Sequence, residues 1–184
     1  MTNRWFSFVG RPSSFVIFFT KGGITVDKKT YWQKQLAQSR AGLNELLDTL
    51  SEEQWQTTVF SEDQSWTVQN VVTHLVESEM GMSIHIHKIR KGRETLPKGF
   101  KIDDWNAGLT DRMGDTTPEE LRQKLGPVRE RTLQGMETLS DDEWSLTGVH
   151  PTRGTITIEQ YYETISGHET SHTNDIKQAI ANQE

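Results

Sequence analysis

Two histidines, His168 and His172, stand four positions apart in the stretch Gly167-His168-Glu169-Thr170-Ser171-His172. On a helix, residues at that spacing share one face with Cβ atoms roughly 5–6 Å apart, so the pair can grip a single metal ion. Two imidazoles make only half a centre. A catalytic zinc-type site usually takes three protein ligands and keeps a further position for water or substrate, so a third ligand must come from elsewhere in the chain. The sequence has no cysteine, which excludes a thiolate ligand, a Cys-based zinc knuckle and a sulfur nucleophile of the protein's own.

The elements that must carry such ligands read as helices. From Asp27, a plausible N-cap, Trp32, Leu36, Leu43, Leu46, Leu47 and Leu50 recur at helical spacing and predict a first helix over about 28–50. Thr67 caps a second, running to about Lys91 with Val71, Val72, Leu75, Met82, Ile86 and Ile89 as its buried stripe. His74 lies beside that stripe, and on its own it reads more readily as a hydrogen-bonded core residue than as a ligand. Arg93 to Thr116 is a long connection of the kind that crosses a bundle end or covers a site. Thr117-Pro118-Glu119-Glu120 combines an N-cap, proline at the first helical position and a capping-box glutamate. It opens a third helix to about Thr138, with a kink predicted at Gly126-Pro127. The fourth is capped by Thr157, with Gln160 three residues on, and carries Ile158, Tyr161, Tyr162, Ile165, Ile176 and Ile180 together with the two histidines. Four long amphipathic helices and no convincing strand series predict an all-α four-helix bundle over residues 27–182. Ser61 to Ser65 and His150 to Gly154 are expected to be loops. The phrase Thr49-Leu50-Ser51-Glu52-Glu53-Gln54-Trp55 returns as Thr138-Leu139-Ser140-Asp141-Asp142-Glu143-Trp144, which suggests two similar helix–linker–helix halves.

Composition narrows the partners. A formal charge of −6 with Lys and Arg dispersed along the chain leaves no basic block to track a phosphate backbone, so nucleic acid is not an expected partner. No apolar run approaches the roughly 20 residues of a membrane-spanning helix. The cysteine-free composition fits a reducing cytoplasm. Residues 1–25 differ from the rest, crowding Phe6, Phe8, Phe15, Phe18 and Phe19 without sustained periodicity. Their apolar stretch is short for a secretory signal and lacks a small-residue cleavage site. Lys21-Gly22-Gly23 resembles a translated ribosome-binding sequence, and the expectation is that the natural product starts at Val26, residues 1–25 being a mis-annotated or disordered extension. An intact mass that includes Met1 would contradict this.

Trp66-Thr67-Val68-Gln69-Asn70-Val71-Val72-Thr73-His74-Leu75 is similar to the tryptophan-led second helix of the DinB-like (DinB/YfiT-like) superfamily of helical-bundle metalloenzymes. Gly154 to His172 resembles that family's turn, helix and paired histidines. The resemblance implies that His74, His168 and His172 form a metal triad, that the bundle is a homodimer, and that the metal is a divalent ion, zinc or nickel first. It also implies a small-molecule substrate and, as in characterised relatives, transfer or isomerisation with a low-molecular-weight thiol such as bacillithiol or mycothiol as cosubstrate. Three neutral imidazoles leave the cation's charge uncancelled, so the ion keeps strong Lewis acidity.

Relative to His74, Glu77 and Ser78 lie on the same helix face. Glu77 can bond a ligand or act as the catalytic base, against the ordinary alternative of a solvated surface carboxylate; Ser78 offers a hydroxyl contact. His85, eleven residues beyond His74, is roughly 16 Å along the axis and cannot share its ion. His85 and His87 read as packing or surface residues, and His150 as a residue at the mouth of the site. Arg153 can meet an acidic group of a substrate or cosubstrate. Trp55, Trp66 and Trp144 read as core anchors. Thiol transfer, hydrolysis by metal-activated water with Glu77 as base, and a non-catalytic metal-stabilised stress protein all follow from the same triad.

Overall fold

The computed structural model describes residues 27–61 and 64–183; the expectation for residues 1–25 lies outside them. Four long helices form the bundle: α1 (Lys28–Leu47), α2 (Val68–Arg90), α5 (Pro118–Glu137) and α6 (Ile158–Ala181). Each starts where the sequence carries a cap. Asp27 accepts from the Thr30 amide, and reciprocal capping boxes join Thr67 to Asn70, Thr117 to Glu120 and Thr157 to Gln160. Such boxes satisfy amides that the first turn leaves unpaired. α1 ends earlier than the periodicity suggests, because the Thr49 hydroxyl bonds back to the Leu46 carbonyl at 2.7 Å and turns the chain. α5 continues through Pro127. The long connection folds into two short helices, α3 (Ile102–Ala107) and α4 (Leu109–Met113).

The expectation of loops at Ser61 to Ser65 and His150 to Gly154 is corrected in part: Ser61, Gln64 and Ser65 lie in paired strands, as do His150 and Gly154, so each stretch belongs to a β-hairpin. β1 (Thr58–Ser61) pairs antiparallel with β2 (Gln64–Thr67), and β3 (Thr147–His150) with β4 (Gly154–Thr157). With four residues per strand, neither hairpin is long enough to display an alternating pattern. Trp66, opposite Val59 in the register, and Ile156 are the buried anchors. Gly148 sits where β3 crosses α2, and a Cβ there would come within 2.5 Å of Ile89 Cγ1 and 2.8 Å of Thr95 Cγ2; only glycine allows that approach.

The repeated phrase marks a duplicated frame. In each half a 3₁₀ turn containing a buried tryptophan, Trp55 or Trp144, leads into a hairpin and then a long helix. Val68 donates to the Thr57 carbonyl just as Ile158 does to that of Leu146. The correspondence extends into the centre of the bundle, where Arg40 and Arg129 are 89 positions apart and Glu79 and Glu169 are 90 apart. These four side chains, Glu79, Arg129 and Glu169 buried and Arg40 partly buried, form a closed ring. Arg40 contacts Glu79 at 2.7 Å and Glu169 at 2.6 Å, while Arg129 contacts Glu79 at 2.7 Å and Glu169 at 2.9 Å. Each arginine also caps a carbonyl of the other's helix, Arg40 that of Leu125 and Arg129 that of Leu36. Ser39 and Thr132 supply hydroxyls to Glu169 and Glu79. The ring divides the apolar core into two clusters, one around Leu43, Val72 and Leu125, the other around Leu36, Tyr162 and Met136.

Burial pulls the Arg129 guanidinium down in pKa, and its bonds to Glu79 and the charge of Glu169 more than offset this, for a net upward shift. Removing one member leaves an uncompensated buried charge, which typically costs 3–5 kcal/mol. Glu79→Ala is therefore expected to lower unfolding stability by about 3–5 kcal/mol in urea titration. Lys28→Ala, which breaks an exposed pair with Glu159, is expected to cost less than about 1 kcal/mol.

Candidate metal centre

α2 and α6 run side by side next to the ionic ring, and each presents histidine to the other. Nε2 of His168 lies 3.0 Å from Nε2 of His74 and 2.9 Å from Nε2 of His172. His74 and His172 are buried and His168 is half-buried. Among the described residues, these three make the cluster able to offer three ligand atoms within 4.8 Å of one another. His172 Nδ1 is 3.2 Å from the Asp175 carboxylate. With His172 Nδ1–H donating to the Asp175 carboxylate, the Nε2 lone pair faces the cluster of the other two imidazoles. A divalent cation held by the three nitrogens, zinc–imidazole distances being usually about 2.0–2.1 Å, would resolve that convergence of lone pairs. The donor set thus fits a divalent ion, and the family-implied triad is brought together from helices 94 positions apart in sequence.

Asp175 is missing from the sequence reading, although a carboxylate three positions beyond a helical histidine is a readable signal for an orienting partner. Packing fixes His74 as well. Trp66 lies 4.8 Å from its ring and Trp105 6.0 Å, so the first hairpin and α3 both bear on this ligand. Ser78 Oγ is 3.4 Å from His74 Nε2.

A cavity of about 200 Å³ opens from His74 and His168. One wall is α2, with Glu77, Ser78, Gly81, Met82 and His85; the others are Phe100, Ile102 and Trp105 from the long connection, His150 at the end of β3 with Pro151 and Thr152 of the following turn, and Thr164 of α6. The lining is mainly apolar. Glu77 faces this space with its carboxylate engaged by Arg112 at 2.9 Å, and the Arg112 guanidinium lies 4.5 Å over the Trp105 ring. Arg153 is turned along α6 instead, bonding the Thr164 hydroxyl and pairing with Glu163 at 3.2 Å; its neighbours Pro151 and Thr152 line the cavity.

His85 differs from its sequence reading. It stands away from the ion site as expected, yet it borders the same cavity, because eleven residues are close to three full turns. Burial, assisted by Lys88, lowers its pKa to about 4, so the ring is neutral near pH 7. His87 is exposed, and His150 is buried with Nδ1 accepting from the Thr152 and Arg153 amides at 3.3 Å.

A family model described as the DinB superfamily matches residues 35–176. A protein of Oceanobacillus iheyensis that bears the provisional name metal-dependent hydrolase is 21% identical over 159 residues, covering 86% of this chain and 89% of the relative. YfiT of Bacillus subtilis, described as a probable metal-dependent hydrolase with an unusual four-helix bundle topology, superposes with a TM-score of 0.70 at 23% identity, covering 90% of this chain and 93% of YfiT. A mycothiol-dependent maleylpyruvate isomerase superposes with a TM-score of 0.63 at 16% identity, over 79% of this chain and 60% of that protein.

Two outcomes follow from the site. Asp175→Asn is expected to weaken zinc binding by roughly 10–100-fold in a chelator competition, the usual cost of losing a ligand's orienting partner. Gly81 borders the cavity, and a Cβ there meets nothing within 4 Å. Gly81→Ala is accordingly expected to raise stability by up to about 1 kcal/mol, with zinc affinity unchanged in the same competition.

Proposed function

The chain belongs to the DinB superfamily, and on that premise we propose that it is a divalent-metal-dependent enzyme delivering a low-molecular-weight thiol to an organic electrophile. The observation that carries this reading is the three-imidazole convergence at the floor of an apolar cavity. A divalent ion held by neutral ligands supplies Lewis acidity and lowers the pKa of a water or thiol at its open position. His74, His168 and His172 hold that charge in place, and Asp175 fixes the His172 ring. Met82, Phe100, Ile102 and Trp105 enclose the electrophile and exclude water. The absence of cysteine means that the sulfur nucleophile must be supplied from outside. In the transfer, the thiol proton leaves to solvent, a sulfur–carbon bond forms, and the leaving group departs with its electron pair.

With its carboxylate engaged by Arg112, Glu77 has no part as a base in this reading, and a thiol of lowered pKa needs none. Hydrolysis is the second reading, favoured by the descriptions of the Oceanobacillus iheyensis protein and YfiT; Glu77, released from Arg112, is then the base.

The zinc- or nickel-loaded protein is expected to convert a chromogenic aryl halide only when bacillithiol or mycothiol is present. His168→Ala is expected to slow this by about a hundredfold or more, because Lewis-acid stabilisation is worth several kcal/mol. Turnover of an ester or amide without thiol, lost in Glu77→Gln, would instead establish hydrolysis. Equal thiol-dependent rates for wild type and His168→Ala would contradict the metal assignment.

A further inference from the structure

The cavity has a second polar end. His85 borders it from α2, three turns from His74 and so roughly 16 Å along the helix, with Gly81 and Met82 in the wall between them. Its Nδ1 is buried with no hydrogen-bond partner among the described residues. A buried polar atom left without a partner costs about 1–3 kcal/mol and in a native structure calls for an explanation such as a functional role or a bound water; His85 itself lines the cavity. The ring is held edge-on to Tyr161, with centroids 5.9 Å apart, while the Tyr161 hydroxyl is committed to the Val149 carbonyl at 2.9 Å. Lys88, the nearest cation along α2, is committed to the Thr95 carbonyl at 2.7 Å.

We propose that His85 is a specificity-determining residue that hydrogen-bonds an uncharged polar group, such as a hydroxyl or carbonyl, at the far end of an elongated substrate with an apolar body. This rests on the metal-enzyme reading above, which puts the reacting end of that substrate at His74 and His168. The neutral state of the His85 ring near pH 7 gives a carboxylate no counter-charge there. The intervening wall of Met82, Phe100 and Ile102 suits methylenes or an aromatic ring.

Straight-chain hydroxamic acids test this, because the hydroxamate anchors on zinc while the tail is varied. Tails of roughly six to eight methylenes span the helical separation less the reach of the side chains, and each is made with a hydroxyl, methyl or carboxylate terminus. Calorimetry on the zinc-loaded protein is expected to show the hydroxyl tail binding about 3- to 10-fold tighter than the methyl tail, the value of one neutral hydrogen bond. That preference is expected to vanish in His85→Phe and to return in part in His85→Gln. The ¹⁵N resonances of the His85 ring are expected to shift with the hydroxyl tail and not with the methyl tail. Equal binding of the two tails to the wild type, or a preference that survives in His85→Phe, would overturn the role of His85 while leaving the metal site intact. Tightest binding by the carboxylate tail would overturn the uncharged class. Failure of every hydroxamate to bind the zinc-loaded wild type would overturn the metal reading, and this inference with it.

Discussion

The ring of Arg40, Glu79, Arg129 and Glu169 is the constraint on which the rest of the molecule depends. Four charges held between two apolar clusters, three of them buried, tolerate little displacement, because a lost contact leaves an ion unpaired in a medium of low polarity. Every one of the four long helices contributes one member. The ring therefore fixes all four in axial register at one level. Glu79 and Glu169 adjoin the site in sequence: Glu169 follows His168 directly, and Glu79 lies five residues beyond His74. A slip of α2 against α6 would separate the imidazoles and break the ring together.

The frame is close to twofold, but the chemistry placed on it is not. Positions related by the 90-residue offset of the second half pair His74 with Thr164, His168 with Ser78, and His172 with Met82. Three of these six side chains converge as nitrogens, while Thr164, Ser78 and Met82 border the cavity that opens from them. The cluster is thus assembled from both copies of the frame, with one copy supplying two of the three histidines and the other one. The long connection has no counterpart between the halves' other elements; its Phe100, Ile102 and Trp105 turn a helix interface into an enclosed cavity. The β3–β4 turn closes the opposite side through Pro151 and Thr152.

Much of this was legible in the sequence because it is local. The caps at Asp27, Thr67, Thr117 and Thr157, and the spacing of His168 and His172, are decided within one or two helical turns. The repeated Leu-Ser-acidic phrase pointed to the duplication. What was not legible depends on contacts between distant residues. The hairpins carry too few residues for a period to emerge. The ionic ring joins residues up to 129 positions apart, and on a helix Arg40 or Glu79 taken singly looks like any solvated charge. His74 shows the same limit from the other side: its own neighbourhood reads as core, and only the family resemblance joined it to the pair on α6. The eleven-residue separation that keeps His85 out of the three-histidine cluster also brings it onto the wall of the same cavity.

The proposed function requires this frame to hold three imidazoles around one ion and to leave a position for chemistry. X-ray absorption at the metal edge of the purified, zinc-loaded protein tests it most directly. The expected spectrum contains three imidazole nitrogens at about 2.0–2.1 Å, at one ion per chain, together with a light-atom ligand that a small thiol replaces with sulfur at about 2.3 Å. A spectrum with fewer than three imidazoles, or a first shell that added thiol leaves unchanged because the protein already closes it, would contradict the account.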